Sequence, residues 1–395
     1  MPNFNKNINR IKTHSSKYDT IDQLFGISPK EGLAMWTADM DFKSPRCVVK
    51  TIREYAKHGI FGYFGDYNDY YRATIAWYYK RHGWKIQSDW IAVTHGLVAA
   101  IGIIIRAFSK PGDEVIVPAQ THVATAHAVE LTGAKPVFVK TNSLKQYEPD
   151  FNDLQMKINS NTKGLIINSP SNPTGGVWSD KAVLEVLDLC KNKDIWVFSD
   201  ECYEQLVYSN NFNSIASLTN HNDKILTFQS CSKTYAMTGW RIGYTIGDRS
   251  VIKGMSKLQG QSTSCPNSIA QYAAAEALTG NQSRVLEMKN IFQSRRDLIL
   301  KELSKNSNIH CEIPNGAFYV FPDLSYYFGS TDKNGSRIKN SNDLCLYILD
   351  QTGVVTVAGE SFGADNNIRL SYATSEQNII DAVGLMNKAL SKLNF

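Results

Sequence analysis

Seven short apolar runs recur between residues 90 and 247, separated by stretches long enough for a helix. No other feature constrains the fold as strongly. The runs are Trp90–Val93, Glu114–Val117, Pro136–Val139, Leu165–Asn168, Ile195–Ser199, Ile225–Phe228 and Gly243–Ile246. A strand with one wet face alternates apolar and polar residues; several of these runs are almost continuously apolar. They need cover on both faces, and a mostly parallel sheet packed between helices provides it. Helices are expected at Leu97–Phe108, Val123–Leu131 and Asp180–Asn192. After Asn281 the pattern becomes one long helix, Val285–Leu303, then a portion with a strand expected at Gly316–Phe321. A chain of 395 residues exceeds one ordinary core. The expectation is an α/β fold, a mostly parallel central sheet with helices on both faces, plus a smaller α+β domain.

Open α/β sheets bind ligands at strand ends, and that is where the reactive residues fall. Ile225–Phe228 leads into Ser230-Cys231-Ser232-Lys233-Thr234-Tyr235-Ala236-Met237-Thr238-Gly239-Trp240-Arg241. A lysine there, with small hydroxyls before it and an arginine eight positions after, suits a Schiff base to pyridoxal phosphate. The amine supplies the imine nitrogen; Ser230, Ser232 and Arg241 can hold a phosphate dianion. Ile195–Ser199 runs into Asp200-Glu201. Asp200 could pair with a protonated pyridine nitrogen and keep the ring an electron acceptor. Thr94-His95-Gly96-Leu97-Val98 joins a strand to a helix start, where backbone N–H groups are free for a phosphate. A lone lysine after serines is ordinarily solvated, an aspartate at a strand end ordinarily a cap, an internal arginine ordinarily an ion-pair partner. The ordered set carries the argument: Gly96, Asn172, Asp200, Tyr203, Lys233, Arg241 and Arg369.

On these residues the chain resembles the fold-type I pyridoxal-phosphate enzymes, the class I/II aminotransferase superfamily. The resemblance implies that Tyr203 and Asn172 bond the ring hydroxyl of the cofactor. It implies that Arg369, in Ile368-Arg369-Leu370-Ser371-Tyr372, binds the substrate α-carboxylate, with Asn172 and Ala38 beside it. Gly96, Leu97, Val98, Ser230, Ser232 and Arg241 are assigned to the cofactor, and Lys233, Asp200 and Tyr203 to catalysis. The family's small domain joins both chain ends, so the boundaries are taken as 1–45 (N-terminal segment of the small domain), 46–284 (large domain) and 285–395 (small domain).

The likeness is a mosaic. Trp36-Thr37-Ala38-Asp39-Met40-Asp41-Phe42 and Phe61-Gly62-Tyr63 resemble cystathionine β-lyase-type C–S lyases. Val117 to His127 resembles the sugar aminotransferases. From about residue 164, including Gln261-Ser262-Thr263-Ser264, the chain is similar to bacterial aspartate/aromatic aminotransferases. Where that subgroup has Gly-Lys-Gln-Ala, this chain has Gly96-Leu97-Val98-Ala99; the missing lysine serves a distal substrate carboxylate. His122 stands where an aromatic ring usually stacks on the cofactor. Tyr63 matches a tyrosine that reaches the neighbouring subunit's phosphate, which implies a homodimer. The activity expected is transfer of an amino group from an L-amino acid to a 2-oxo acid through Lys233. The alternative is a C–S β-lyase releasing pyruvate and ammonia; a remoter one is a non-catalytic pyridoxal-phosphate-binding regulator. Trp36, Phe42, Phe61 and Tyr63 are expected near the pocket.

Two short motifs point elsewhere. Gly359-Glu360-Ser361-Phe362-Gly363 fits a hydrolase nucleophile elbow, but a strand rather than a helix is expected after it. Ser230-x-x-Lys233 fits a serine–lysine pattern without its companion motifs. The net charge of +5 comes without a dense basic run, which argues against nucleic-acid or membrane-surface partners. Seven scattered cysteines lack a Cys-x-x-Cys pair, as expected of reduced thiols in the cytoplasm rather than disulfides or a zinc site. No apolar run is long enough to span a bilayer, and no signal peptide is evident.

Overall fold

The computed structural model describes residues 4–65, 68–208, 212–219 and 224–395. All seven expected strands form one sheet: β1 (Ile91–Thr94), β2 (Glu114–Pro118), β3 (Lys135–Val139), β4 (Thr162–Asn168), β5 (Trp196–Asp200), β6 (Ile225–Ser230) and β7 (Gly243–Ile246). Their spatial order is β1-β7-β6-β5-β4-β2-β3. Pairings from β6 through β3 are parallel, while β7 runs antiparallel to both β6 and β1. The reason lies in the β6–β7 connection. It holds only the short helix Cys231–Thr234 and a 3₁₀ turn, too little for the crossover that a parallel return requires.

Alternate residues along each strand serve opposite faces. Val115, Val117, Ile166 and Phe198 pack with Ile101, Ile104 and Ile105 of helix Leu97–Phe108 and with Met255 of helix Arg249–Ser262. Their neighbours Ile116, Leu165, Ile167 and Val197 pack with Val183, Val186 and Leu187 of helix Asp180–Asn192. Burial on both faces explains why the runs show so little polar alternation. Truncating one of these residues to alanine costs about 2–5 kcal/mol.

The C-terminal portion centres on strand Ile368–Ser371, flanked antiparallel by Tyr319–Val320 and Val357–Ala358. The strand expected over Gly316–Phe321 shrinks to two residues. Ala317 takes a left-handed φ of 59° and its N–H goes to the Leu206 carbonyl, so the chain bends before it can pair. Leu33–Ala34 pairs parallel with Val354–Val355. Phe4, Met35 and Met40 share a core with Phe292, Phe318 and Tyr372, so the first forty residues pack against the last hundred.

Candidate active site

A cavity of about 220 Å³ opens where β1, β5 and β6 end. Its walls bring together Ala38, Gly96, Leu97, Val98, His122, Asn172, Asp200, Tyr203, Ser230, Ser232, Lys233 and Arg241. Asn168, Cys202 and Thr238 join them.

Lys233 leaves the short helix that β6 runs into, and Ser230 caps that helix by accepting the Ser232 N–H at 3.0 Å. Lys233 Nζ donates to the Ala38 carbonyl at 2.6 Å and lies 5.8 Å and 5.9 Å from the Tyr203 and Phe318 ring centres. Burial lowers the ammonium's pKa, and Arg369 and Arg241 push the same way. More of the free amine, the nucleophilic form, is then present near neutral pH. Ala236 and Arg241, both non-glycine, hold left-handed φ values of 52° and 51° in the turn beyond it. Such strain persists only where the surroundings impose it.

Asp200 closes β5 and is buried; desolvation pushes its carboxyl up to about 6. The Cys202 N–H, donating to Oδ1 at 3.1 Å, works against that rise. A desolvated acid aimed into a cavity favours a protonated nitrogen as its partner.

The same cavity holds an anion cup. Gly96 has a φ of 109° and precedes helix Leu97–Phe108, whose first amides have no intrahelical acceptor. A Cβ at Gly96 would lie 2.6 Å from Arg241 Nη2 and push the guanidinium from its place, and the φ of 109° itself favours glycine. Arg241 is steadied by donating from Nη1 to the Thr238 carbonyl at 2.8 Å. Ser230 Oγ stands 2.7 Å from Ser232 Oγ and donates to the Ile242 carbonyl at 2.8 Å. Amides at a helix start, two hydroxyls and a guanidinium could together hold a phosphate.

Arg369 stands behind Asn172. Its Nη1 donates to Asn172 Oδ1 at 2.7 Å and its Nη2 to the Trp36 carbonyl, while Nε is buried without a partner. The guanidinium lies 4.8 Å from the Tyr319 ring centre and 5.0 Å from that of Phe362. A buried cation with an unpaired N–H can receive a carboxylate. His122 is held neutral: burial, then Arg369 and Lys233, bring its pKa down to about 4.

The residues present fit pyridoxal phosphate. The cup would take the phosphate, Asp200 the ring nitrogen, Tyr203 and Asn172 the ring hydroxyl, and Lys233 the aldehyde carbon. Tyr319 escaped the sequence reading; its hydroxyl lies 2.6 Å from that of Tyr203, and nothing local distinguishes it within an apolar run. The expected aromatic lining is corrected. Trp36 packs on Phe25, and Phe42 lies between Phe4 and Phe292. Phe61 and Tyr63 are exposed, Tyr63 at 98%. Trp36 turns its ring away and offers the site its backbone carbonyl; Tyr203, Phe318, Tyr319 and Phe362 supply the rings instead. Tyr63 does not line its own subunit's cavity. Leu97 also packs into both neighbouring cores, and Val98 is the more exposed of the two cavity residues. Gly359–Phe362 is a 3₁₀ turn followed by strand Ile368–Ser371, not the strand–turn–helix of a nucleophile elbow. Among the described residues, no cluster of three or more His, Cys, Asp and Glu could hold a metal ion.

Comparison with known proteins shows the family. The profile of the family described as "Aminotransferase class I and II" matches residues 32–384. The chain is 37% identical over 314 residues to the aspartate/prephenate aminotransferase of Cereibacter sphaeroides, covering 79% of this chain and 78% of that one. It is 34% identical over 325 residues to the asparagine–oxo-acid transaminase of Streptococcus mutans, with 81% of each covered. The crystal structure of the aspartate aminotransferase from Rhizobium meliloti superposes with a TM-score of 0.87 at 32% identity, covering 91% of each chain.

Proposed function

The chain belongs to the class I and II aminotransferases, and we propose that Lys233, Asp200, Arg369 and the anion cup are the parts with which it moves an amino group between an L-amino acid and a 2-oxo acid. The cofactor is pyridoxal phosphate. When bound, it supplies an electron sink for the pair left behind when the substrate Cα loses its proton. The cup formed by Gly96, Leu97, Val98, Ser230, Ser232 and Arg241 anchors its phosphate. Asp200 keeps the ring nitrogen protonated, and neutral His122 can stack on the ring without repelling it.

Arg369 binds the substrate carboxylate through Nε and an Nη that releases Asn172 or Trp36. That fixes the Cα–H bond toward Lys233. Lys233 Nζ takes the Cα proton and later returns it, a task suited to an amine whose pKa burial has lowered. Tyr203, paired with Tyr319, holds its hydroxyl in place. The observation that carries the reading is one desolvated lysine between a buried acid and a cup of amides, hydroxyls and guanidinium.

The amino donor we favour has an uncharged side chain. The relatives named above carry aspartate and asparagine in their names. In this chain Lys233 and Arg241 are the only Lys and Arg among the described residues lining the cavity, and both have other tasks. A second carboxylate buried without a cation costs several kcal/mol.

The same reading takes residues 1–45 and 285–395 as one small domain and 46–284 as the large one, supported by the Leu33–Ala34 pairing with Val354–Val355. It takes the enzyme as a homodimer, supported by exposed Ile60, Phe61 and Tyr63. It places the enzyme in the cytoplasm, supported by seven free cysteines. No described helix is long and apolar enough to cross a membrane.

A product assay tests the activity. Purified enzyme given an amino acid and 2-oxobutyrate, a 2-oxo acid with an uncharged side chain, should form the matching oxo acid and 2-aminobutyrate in equal amounts. Pyruvate and ammonia from a sulfur amino acid, with no new amino acid formed, would assign the C–S lyase instead.

A further inference from the structure

Two cations of the site are held by one stretch of backbone. Arg369 donates to the carbonyl of Trp36, and Lys233 to the carbonyl of Ala38. The stretch is anchored at both ends. Met35 exchanges backbone bonds with Val355 and Ser371, and the Asp41 N–H reaches the Ala373 carbonyl at 3.3 Å. Between those anchors, side chains of the N-terminal segment hold it. Lys17 Nζ donates to the Asp39 carbonyl at 3.4 Å and Arg10 Nη1 to the Met40 carbonyl at 3.3 Å. The Trp36 indole N–H returns a bond to the Lys17 carbonyl at 3.1 Å.

Asp41 ties this arrangement together. Its Oδ2 accepts from Lys17 Nζ at 2.7 Å and from the Tyr18 hydroxyl at 2.8 Å, and its Oδ1 from Arg10 Nη1 at 3.0 Å. Arg10 Nη2 pairs with Asp39 at 2.5 Å. The two cations and two anions balance. Lys17 is only 1% exposed, although lysine is almost never buried unless paired. Burial acts to raise the Asp41 carboxyl, yet Lys17, Tyr18 and Arg10 together hold it below its usual range.

A buried ion network is a poor way to add stability, because desolvation offsets most of the attraction. Apolar contacts already fasten this segment, through Ile21 and through Phe25 on Trp36. What apolar contacts lack is direction. Hydrogen bonds to the Asp39 and Met40 carbonyls fix the rotation of the two peptides that follow the Ala38 carbonyl, while the Met35 bonds hold the chain before it, and together they restrict where the Ala38 carbonyl points. Once condensed with an aldehyde the lysine nitrogen keeps at most one hydrogen, so the Ala38 carbonyl is best matched to the freed Lys233, which has two or three to donate. That is the state in which it handles the substrate proton.

We propose that Asp41, through Arg10 and Lys17, is a positioning residue that aims the Trp36 and Ala38 carbonyls at Arg369 and the released Lys233. This rests on the transaminase reading above and adds to it. The clasp acts on substrate binding and proton transfer; the anion cup stands on other elements and is untouched.

The test uses the holoenzyme, two loss variants, Asp41→Asn and the milder Arg10→Gln, which leaves the Lys17–Asp41 pair, and Asp41→Glu as the conservative rescue. An α-methyl amino acid, which has no Cα–H, reports binding at Arg369 through the shift it causes in the cofactor's absorption. Exchange of the Cα hydrogen of alanine in deuterated water, followed by NMR, reports Lys233. For Asp41→Asn both should worsen, binding about tenfold and exchange about tenfold or more, while cofactor dissociation stays within about twofold. Arg10→Gln should show the same pattern more weakly, and Asp41→Glu should restore part of it. A role confined to stability would lower the melting temperature and leave binding and exchange per folded site unchanged. That result in either variant overturns the proposal. If Asp41→Asn does not fold, Arg10→Gln decides alone. A parent enzyme that binds pyridoxal phosphate but exchanges no Cα hydrogen would instead overturn the transaminase reading.

Discussion

The anion cup and the clamp proposed for the substrate carboxylate, Arg369 with Asn172 and Trp36, are built in opposite ways. The cup comes from two short runs at the ends of one sheet, Ser230 to Arg241 after β6 and Gly96–Val98 after β1. The clamp joins Arg369 to Asn172 across 197 residues and to Trp36 across 333. Each run of the cup is short and continuous and both leave one sheet, whereas the clamp exists only while the C-terminal portion packs on the sheet and the N-terminal segment. Damage to the cup should therefore appear as lost cofactor, and damage to the clamp as lost substrate affinity with the cofactor retained.

Asp200 belongs to neither, and its loss should be the largest of the changes considered. Asp200→Ala is expected to lower kcat about 10³-fold, read under saturating pyridoxal phosphate, because the ring nitrogen then loses its proton. Near-parental turnover would remove Asp200 from the chemistry. The same carboxyl gives a pH test on the cofactor-free protein. Its folded pKa, about 6, exceeds the ordinary 3.8. Between those values the native state binds more protons than the unfolded chain, so its contribution to stability is present at low pH and lost as pH rises through about 6. The melting-temperature advantage of Asp200→Asn over the parent should grow from pH 4 to pH 7, and added cofactor should shrink it. An advantage that does not change with pH would contradict the burial argument.

Arg369→Ala should sharpen the comparison from the clamp side. We expect kcat/KM for amino acids to fall about 10²-fold or more, with cofactor affinity unchanged; steady-state kinetics and a cofactor titration read the two separately. Arg241→Ala should do the reverse, raising the pyridoxal-phosphate dissociation constant about 10- to 100-fold and sparing the chemical step once the cofactor is saturating. If either variant produced the other's signature, the division into cup and clamp would fail.

The smallest effect concerns the side-chain end. Aspartate should be a poorer donor than alanine or methionine by about tenfold in kcat/KM, and Val98→Lys should narrow that gap. Leu97→Lys should do less, because Leu97 is committed to the core. Aspartate proving the best donor of the parent enzyme would mean that a cation from outside this chain's own cavity reaches the substrate.

The two regions also differed in what the sequence disclosed. Strand periods and strand-end residues placed all seven central strands, and with them Gly96, Asp200 and Lys233, because each sits where a local pattern stops. The antiparallel β7 was not legible as such, since direction depends on the length of the connection rather than on the apolar run. The clamp was harder still. Trp36 and Phe42 looked like pocket aromatics, yet a backbone carbonyl from that stretch proved to be the group at the site, and carbonyls carry no residue signature. Tyr319 and Phe362 reach Arg369 only through packing between distant segments. Arg10 and Lys17 lie 31 and 24 residues from Asp41, and no local pattern joins them; only the fold does.

The central claim is that Lys233 is the residue that binds the cofactor covalently. Borohydride reduction of the purified holoenzyme, followed by proteolysis and mass spectrometry, tests it directly. The reduced pyridoxyl group should lie on Lys233 alone, and Lys233→Ala should show neither the label nor transamination. A label on another lysine, or a Lys233→Ala enzyme that still transaminates without an added amine, would contradict the account.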